Sequence, residues 1–262
     1  MQLDVYQIDA FTSHIFGGNP ACVVPLSEWL PDALLLQIAR ENAVAETAFF
    51  IQTEDTIHLR WFTPEIEMDL CGHATLATVH CLKVHLHDRR QQFRFTSLSG
   101  ELVVFVEQDC YMLDFPSRKP VPSTLPDAIR RSLSIQPVEV WKARDYVLLY
   151  GQETDVRSLT IDRNIFDEIN LGTGGVIVTA PGIESDFVSR FFTPQASALE
   201  DPVTGSAHCS LIPFWSERLG KTDMLALQVS QRGGTLFCSD KGDRVLIGGH
   251  ARTYSTGKCM TE

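Results

Sequence analysis

Short runs in which apolar and polar positions alternate cover much of the chain, as is typical of β-strands. They lie at residues 3–11, 47–51, 57–62, 93–95 and 102–106, and again at 147–149, 176–178, 187–192 and 245–247. Two other segments, 72–84 and 205–219, are apolar on all sides, which predicts helices buried on every face. Gly220 is the expected C-cap of the second helix. Hairpin-like strand runs with few helices predict an α+β architecture, not a doubly wound one.

The pattern occurs twice along the chain. Arg60–Pro64 (RWFTP) returns 130 residues later as Arg190–Pro194 (RFFTP), and each copy precedes a glycine-led helix, at Gly72 or Gly205. A repeat in the same order predicts two pseudo-symmetric lobes, each a mostly antiparallel sheet curled around its buried helix. The proline-rich stretch 116–126 is the candidate linker. We therefore expect lobes over residues 1–117 and 118–262, with the active site in the cleft between them.

Composition narrows the class of protein. A hydrophobic content of 44% with 21% charged residues is ordinary for a globular chain. The net charge of −11 argues against a nucleic-acid or anionic-membrane surface. Residues 1–6 lack the features of a signal peptide, and no apolar run is long enough to cross a bilayer. The seven cysteines are irregularly spaced and fit free thiols, so we predict a cytoplasmic protein.

The two helix starts are candidate ligand sites. Gly72 and Gly205 allow a ligand to approach the backbone, and the first N–H groups of each helix lack intrahelical partners. Such groups suit an anion, and a carboxylate is the expected one. A single glycine of this kind would be read as a tightly packed helix start. Two in register across a repeat favour a site.

Glu46 is the candidate acid/base. It stands among small and aromatic residues, 14 positions before Arg60, and the same count back from Arg190 reaches Val176. The duplication thus left an acid in only one half. Burial would favour the protonated form, which suits a group that accepts and returns a carbon-bound proton. A glutamate on an edge strand that points to water explains the sequence equally well.

Two further polar residues flank the helix starts. Asp201 could cap the second helix or accept a hydrogen bond from a substrate amine or hydroxyl. His73 lies at the N-terminal end of a buried helix, where positive charge is disfavoured, so we expect a low pKa and a neutral imidazole.

Two other motifs fit structural roles better than chemical ones. The spacing of His80, Cys81, His85 and His87 matches no standard zinc signature, so we predict no metal site. Residues 172–175 (GTGG) lack the further residues of a phosphate loop or a dinucleotide fingerprint, and predict a turn into a strand.

Four ordered motifs resemble those of the PhzF-type phenazine-biosynthesis isomerase family. They are AETAF at 45–49, FTP at 62–64, CGHAT at 71–75 and EDPVTGSA at 200–207. The opening DAFT at 9–12 with GNP at 18–20 also fits, so the resemblance covers essentially the whole chain. Residues 215–221 and 232–234 look closer to the phenazine biosynthesis-like domain-containing proteins. The resemblance implies the diaminopimelate epimerase-like fold, a homodimer and no cofactor.

The resemblance also implies roles for individual residues. Glu46 corresponds to the acid/base of the family, with His73 and Asp201 as further catalytic residues. Gly72, Gly205 and Ser206 correspond to substrate-binding positions. Epimerases of the same fold use two cysteines, one before each helix. Here Cys71 fills the first place, but Pro202 fills the second and Cys209 lies too far into its helix. This disfavours a two-thiol racemase and predicts that Cys71 is a packed thiol.

The sequence therefore predicts a cofactor-independent isomerase. It would move a proton between carbons of a small carboxylated substrate, with a cyclic or amino-bearing one favoured. The alternatives are a two-base amino-acid epimerase or racemase of the same fold, or a non-catalytic member that binds a metabolite or a protein.

Overall fold

The computed structural model describes residues 1–53 and 56–261, and the chain divides into two compact units. The first unit comprises Met1–Asp114 together with Gly248–Glu262, and the second comprises Phe115–Ile247. The division near residue 115 lies close to the expected linker. The C-terminal segment, expected in the second lobe, belongs instead to the first unit.

The first unit is a strand-rich body with two helices. Its elements are β1 (Gln2–Ala10), β2 (Asn19–Leu26), α1 (Asp32–Asn42), β3 (Glu46–Gln52), β4 (Ile57–Phe62), β5 (Glu67–Met68), α2 (Gly72–Val84), β6 (Gln92–Ser97), β7 (Gly100–Glu107) and β8 (Cys110–Pro116).

The second unit contains four helices and most of the remaining strands. Its elements are β9 (Val121–Pro122), α3 (Asp127–Ser132), β10 (Glu139–Lys142), β11 (Tyr146–Leu149), α4 (Glu153–Ser158), α5 (Arg163–Phe166), β12 (Val176–Pro181), β13 (Phe187–Phe192), β14 (Glu200–Asp201), α6 (Gly205–Leu219), β15 (Asp223–Gln228), β16 (Gly234–Asp240) and β17 (Arg244–Gly249).

The last strand explains the corrected boundary. Strand β18 (Ala251–Met260) pairs antiparallel with β1 along its whole length, from Ala10 opposite Ala251 to Gln2 opposite Met260. This ladder of backbone hydrogen bonds holds the C-terminal segment in the first unit. Nothing in the local sequence pattern could reveal a pairing between the two ends of the chain.

The two central helices have the predicted bounds and burial. Every residue of α2 from Gly72 to Leu82 is buried. In α6 the buried stretch extends from Ala207 to Trp215, and Gly220 ends the helix in the left-handed conformation at a φ of 65°. Trp215 stacks on Phe187 at 5.6 Å between ring centroids. Both helices are therefore core elements, as the apolar patterns predicted.

Both units repeat one pattern of strand pairing. In the first, β2 is parallel to β3, β3 is antiparallel to β4, and β4 pairs with β5 antiparallel and β6 parallel. In the second, β11, β12, β13, β14 and β15 repeat these relations in the same order. Most other pairs are antiparallel, so the α+β prediction is confirmed and the internal repeat is a repeat of topology.

The repeated arginine explains the repeated motif. Arg60 donates two hydrogen bonds to the Glu67 carboxylate, both at 2.7 Å, and its guanidinium lies 5.1 Å from the Phe62 ring centroid. Arg190 contacts Glu200 in the same way, at 2.7 and 2.8 Å, and lies 4.8 Å from the ring of Phe192. A bidentate ion pair stacked on an aromatic ring needs the planar guanidinium.

Arg190→Lys should destabilise the protein more than Arg60→Lys. Arg190 also donates to the backbone oxygens of Val156 and Leu159, at 3.0 and 2.9 Å, which a lysine cannot satisfy together with Glu200. A buried acceptor left without a donor costs about 1–3 kcal/mol, so we expect a difference of about 2 kcal/mol between the variants. Urea unfolding of both variants measures it. Equal losses would contradict the role of the two carbonyl contacts.

The unfolding free energy should fall on acidification because of His208. This residue is fully buried in α6, donates from Nδ1 to the Thr204 oxygen at 2.8 Å, and burial lowers its pKa to about 4. The unfolded chain, with a pKa near the ordinary 6.5, then binds the proton more readily. Stability is therefore lost as the pH falls from about 6.5 to about 4, by about 3 kcal/mol in all.

His208→Asn is the matched variant for this test. Its amide can still donate to the Thr204 oxygen but cannot titrate in this range. Urea unfolding at several pH values should show a shallower slope for the variant than for the wild type. Parallel curves would exclude His208 as a source of acid sensitivity.

Candidate active site

Three of the chemically active side chains converge at the N-terminus of α2. Glu46 is the first residue of β3, Cys71 is the N-cap of α2, and His73 is the second residue of that helix. His73 Nε2 lies 3.0 Å from Glu46 Oε2, and His73 Nδ1 lies 3.6 Å from Cys71 Sγ. The imidazole is therefore the central member of a line of three groups.

Glu46 is held inside the unit. Strand β3 has a neighbour on each side, β2 and β4, so it is not an edge strand. The side chain of Glu46 is only 16% exposed, and that of His73 is 6% exposed. The alternative of an edge glutamate that points to water does not apply. A buried carboxylate beside a histidine is a common arrangement in proton-transfer sites.

The contact between Glu46 and His73 leaves the hydrogen-bonding capacity of both groups unused. Oε2 and Nε2 face each other at hydrogen-bonding distance without the alignment of a hydrogen bond, and neither atom has another such partner among the described residues. Buried polar atoms are normally satisfied, so two orphans side by side need an explanation. A bound third group that engages both atoms would supply it.

The charge state of His73 depends on its two neighbours. Burial lowers the pKa of His73, whereas the charges of Cys71 and Glu46 together raise it well above its ordinary value. The low value expected from the helix terminus alone needs correction, because it omitted these two neighbours. The Cys71 effect requires a thiolate, but burial and the Glu46 charge raise the pKa of Cys71. At neutral pH Cys71 is therefore a thiol, and burial, the largest of these effects, favours a neutral imidazole against Glu46 alone.

Asn19 is a fourth member of this group that sequence reasoning missed. Its side-chain Nδ2 lies 3.3 Å from His73 Nδ1, and the residue is fully buried. The preceding Gly18 has a φ of +63°, and a Cβ there would lie 2.0 Å from the Ala10 carbonyl oxygen. The signal in the sequence was the GNP motif at 18–20, which fits the family resemblance but received no role in the site.

In the second unit, Asp201 is held close to the start of α6. Thr204 Oγ1 donates to Asp201 Oδ2 at 2.5 Å, and Gln228 Nε2 donates to the Asp201 backbone oxygen at 2.8 Å. Thr204, not Asp201, is the N-cap of α6, and its side chain makes no capping bond. The capping interpretation of Asp201 is therefore wrong.

Ser206 has a partner that the sequence did not indicate. Arg144, between β10 and β11, donates from Nη2 to Ser206 Oγ at 3.0 Å. The same guanidinium makes a bidentate contact with Asp145, which is fully buried and accepts a bond from the Gly175 N–H at 2.8 Å. An arginine next to an aspartate before an apolar strand was the only available signal.

The strand register shows what replaces Glu46 in the second unit. Phe49 lies opposite Arg60, and Val178 lies opposite Arg190. Glu46 stands three residues before Phe49, and Gly175 stands three residues before Val178. Gly175, not Val176, is therefore the counterpart of Glu46. The hairpin is one residue longer in the second unit, which the simple count could not detect. A Cβ at Gly175 would lie 2.4 Å from the Phe191 ring, so no side chain fits there.

The ring nitrogens of His80 and His85 lie at hydrogen-bonding distance from hydroxyl groups. His80 contacts Tyr111 and Thr253 at 3.0 and 3.1 Å, and His85 contacts the same Thr253 hydroxyl at 2.8 Å. Within the described part of the chain, ligand atoms at metal-compatible spacing occur only in Glu46, Cys71 and His73, where they lie within 4.8 Å of one another. Cys71 and Glu46 face opposite nitrogens of the His73 ring, an arrangement that suits proton transfer better than one shared ion.

Comparison with known proteins gives consistent matches over the whole chain. Residues 8–257 match the family described as phenazine biosynthesis-like protein (PhzC-PhzF). The chain is 46% identical over 258 residues to an uncharacterized isomerase of Pseudomonas aeruginosa, covering 98% of each chain. It is 36% identical over 284 residues to the human phenazine biosynthesis-like domain-containing protein, covering 98% of this chain and 99% of the human one.

Solved structures extend the likeness to the fold. A PhzF-family protein of Enterococcus faecalis superposes with a TM-score of 0.95 at 43% identity, with full coverage of both chains. A hydroxyproline epimerase of Agrobacterium vitis has a TM-score of 0.62 at 10% identity, covering 98% of this chain and 92% of that one. The predicted epimerase-like fold is thereby confirmed. None of the helices in the described ranges is long and apolar enough to cross a membrane.

Gly18→Ala should destabilise the first unit strongly, because the new Cβ would overlap the Ala10 backbone oxygen. Gly172→Ala is the matched control, since Gly172 has nearly the same φ of +61° but open space around its Cβ position. The control should lose about 1–2 kcal/mol from the left-handed backbone alone. Gly18→Ala should lose a further 1–3 kcal/mol, roughly, from the overlap. Urea unfolding of both variants provides the measurement, and equal losses would contradict the close approach.

Proposed function

The chain belongs to the phenazine biosynthesis-like protein family, and we propose that it is a cofactor-independent isomerase that moves a proton between two carbons of a small carboxylated substrate. The observation that carries the proposal is the partly buried Glu46 carboxylate, whose buried Oε2 lies 3.0 Å from His73 Nε2 and is not engaged in an aligned hydrogen bond. Relatives at 46% and 45% identity are named as isomerases.

The proposed chemistry needs only one base. Glu46 takes a proton from one carbon, so that a C–H bond breaks and an O–H bond forms on the carboxylate. The same group then returns the proton to a second carbon, and the double bond of the substrate moves with the electron pair. No electron is gained or lost overall, so no redox partner enters the reaction. His73 Nε2 lies where it can stabilise the carboxylate or hydrogen-bond to the bound substrate.

Substrate binding is assigned to residues at the two helix starts. Gly72, and Gly205 with Ser206, are our candidates for binding the substrate carboxylate, because the first N–H groups of α2 and α6 have no intrahelical acceptor. Asp201 is the proposed acceptor for an amine or hydroxyl of the substrate. A cyclic or amino-bearing carboxylate fits these residues, because the helix starts would bind its carboxylate and Asp201 would accept a hydrogen bond from it.

A two-base epimerase of the same fold is the second candidate from the sequence, and the thiols argue against it. Pro202 occupies the place of the second cysteine, and burial raises the pKa of Cys209, inside α6, to about 11. Burial and Glu46 also keep Cys71 protonated. A base of this kind must be ionised to attack a C–H bond. The homodimeric state and the cytoplasmic location remain predictions.

Glu46→Gln should abolish exchange of substrate hydrogen with solvent, whereas Cys71→Ala should not. Glutamine keeps the size of the side chain but cannot accept the proton, and loss of a general base lowers the rate by about 10²–10⁴-fold. The assay incubates the enzyme in deuterated water with a panel of anthranilate-like and amino-acid carboxylates and follows the loss of proton signals by NMR. Cys71→Ala should stay within a few-fold of wild type.

The exchange assay with this panel of carboxylates distinguishes the candidate functions. Normal exchange by Glu46→Gln with a silent Cys71→Ala would assign the chemistry to the thiol and reject the proposed mechanism. A wild-type protein that binds carboxylates of the panel, detected by calorimetry, without exchanging any hydrogen would favour the non-catalytic binding function.

A further inference from the structure

Two hydrogen-bond donors converge on the nitrogen of His73 that faces away from Glu46. The Asn19 amide nitrogen lies 3.3 Å from Nδ1, and the Cys71 sulfur lies 3.6 Å from the same atom. Nδ1 of a neutral imidazole has a single lone pair and can accept from either group. When Nδ1 accepts, the ring hydrogen must reside on Nε2, the nitrogen 3.0 Å from Glu46 Oε2.

We propose that Asn19 is a positioning residue that, assisted by the Cys71 thiol, keeps the His73 proton on Nε2, the ring nitrogen that lies 3.0 Å from Glu46 Oε2. The proposal deepens the proposed function, because it rests on Glu46 as the acid/base, and it gives a role to Asn19 of the GNP motif at 18–20, to which the resemblance assigned none. Asn19 acts through His73 and does not touch the reacting carbon.

Asn19 is rigid enough for this role. The residue is fully buried, and its backbone pairs with Ala10 at the end of the ladder between β1 and β2. Gly18 places the chain against Ala10 in a conformation that other residues rarely adopt, and Pro20 restricts the backbone on the other side. An amide held on both sides loses little further entropy when it donates to Nδ1, which favours this contact.

The thiol supports the same proton arrangement but is the weaker partner. Burial and Glu46 keep the hydrogen on Cys71, so its S–H can point at Nδ1. A thiol is a weak donor compared with an amide N–H. Removal of the thiol should therefore leave the tautomer unchanged while Asn19 is present. This gives Cys71 a supporting role at the site in addition to packing.

The second unit contains a similar contact. Asn19 is the first residue of β2, and Arg144 lies two residues before β11, the strand that pairs parallel with β12 as β2 pairs with β3. Each donates to the side chain that follows the first glycine of the central helix, His73 or Ser206.

In both units, a donor at the N-terminal end of the first parallel strand therefore contacts the residue at the helix start. In the second unit the donor is a guanidinium fixed by Asp145, and the oriented group is a hydroxyl. In the first unit the donor is a neutral amide, which suits an imidazole because it adds no charge beside a ring that already faces Glu46.

The test is the protonation pattern of the His73 ring, measured by long-range ¹H–¹⁵N NMR on ¹⁵N-labelled protein at neutral pH. His73→Gln identifies the signals of His73 among those of the eight histidines. We expect a protonated Nε2 and an unprotonated Nδ1 in the wild type. Asn19→Asp preserves the shape but only accepts, so Nδ1 should become protonated. Cys71→Ala, the matched control at the other donor, should keep the wild-type pattern.

Three results would overturn the proposal. They are a wild-type His73 with its proton on Nδ1, a wild-type imidazolium protonated on both nitrogens, and an Asn19→Asp pattern identical to wild type. If the buried carboxylate prevents folding, Asn19→Ala removes the donor without adding a charge, and a weakened preference for the Nε2 proton is then expected. An unchanged pattern in Asn19→Ala also counts against the proposal.

The NMR result is independent of turnover. A wild-type ring with its proton on Nε2 in a protein that exchanges no substrate hydrogen would support this inference and reject only the proposed function. Normal exchange of substrate hydrogen with the His73 proton on Nδ1 would support the proposed function and reject only this inference.

Discussion

The parallel register between β2 and β3 is the constraint on which the candidate site depends. Pairing of Ala21 with Glu46 sets the position of the carboxylate along the sheet. The same alignment places Asn19 beside His73 at the start of α2. A slip of one residue would turn every side chain of β3 to the opposite face of the sheet. The burial of Phe49 and Phe50 on opposite faces of that strand makes such a slip costly. Core packing and site geometry are thus specified by one set of contacts.

The two units keep the same scaffold contacts but differ in the side chains that face the helix starts. The Arg60–Glu67 and Arg190–Glu200 pairs, each stacked on a phenylalanine, remain nearly identical. The positions that face the helix starts have diverged, since Glu46 has a glycine as its counterpart and His73 has a serine. Scaffold contacts in each copy fill a closed volume and tolerate little change.

Local features of the sequence predicted local features of the structure. The helices that begin at Gly72 and Gly205 followed from uninterrupted small and apolar residues, and the αL cap at Gly220 followed from glycine itself. The resemblance to a family, not periodicity, supplied the roles of His73, Asp201 and Ser206. What failed were features set by contacts distant in sequence. The donors to His73 and Ser206 lie 54 and 62 residues away from them, and the charge of Glu46 changed the expected pKa of His73.

The contribution of β18 to the first unit bears on the order in which the protein can fold during synthesis. The second unit is continuous in sequence, whereas the first unit is completed by β18, which is synthesised after all strands of the second unit. Until then, the edge of β1 that pairs with β18 stays without its partner strand. An exposed strand edge is open to pairing with other chains, which chaperones normally prevent. The N-terminal unit can therefore be completed only after the second unit has been synthesised.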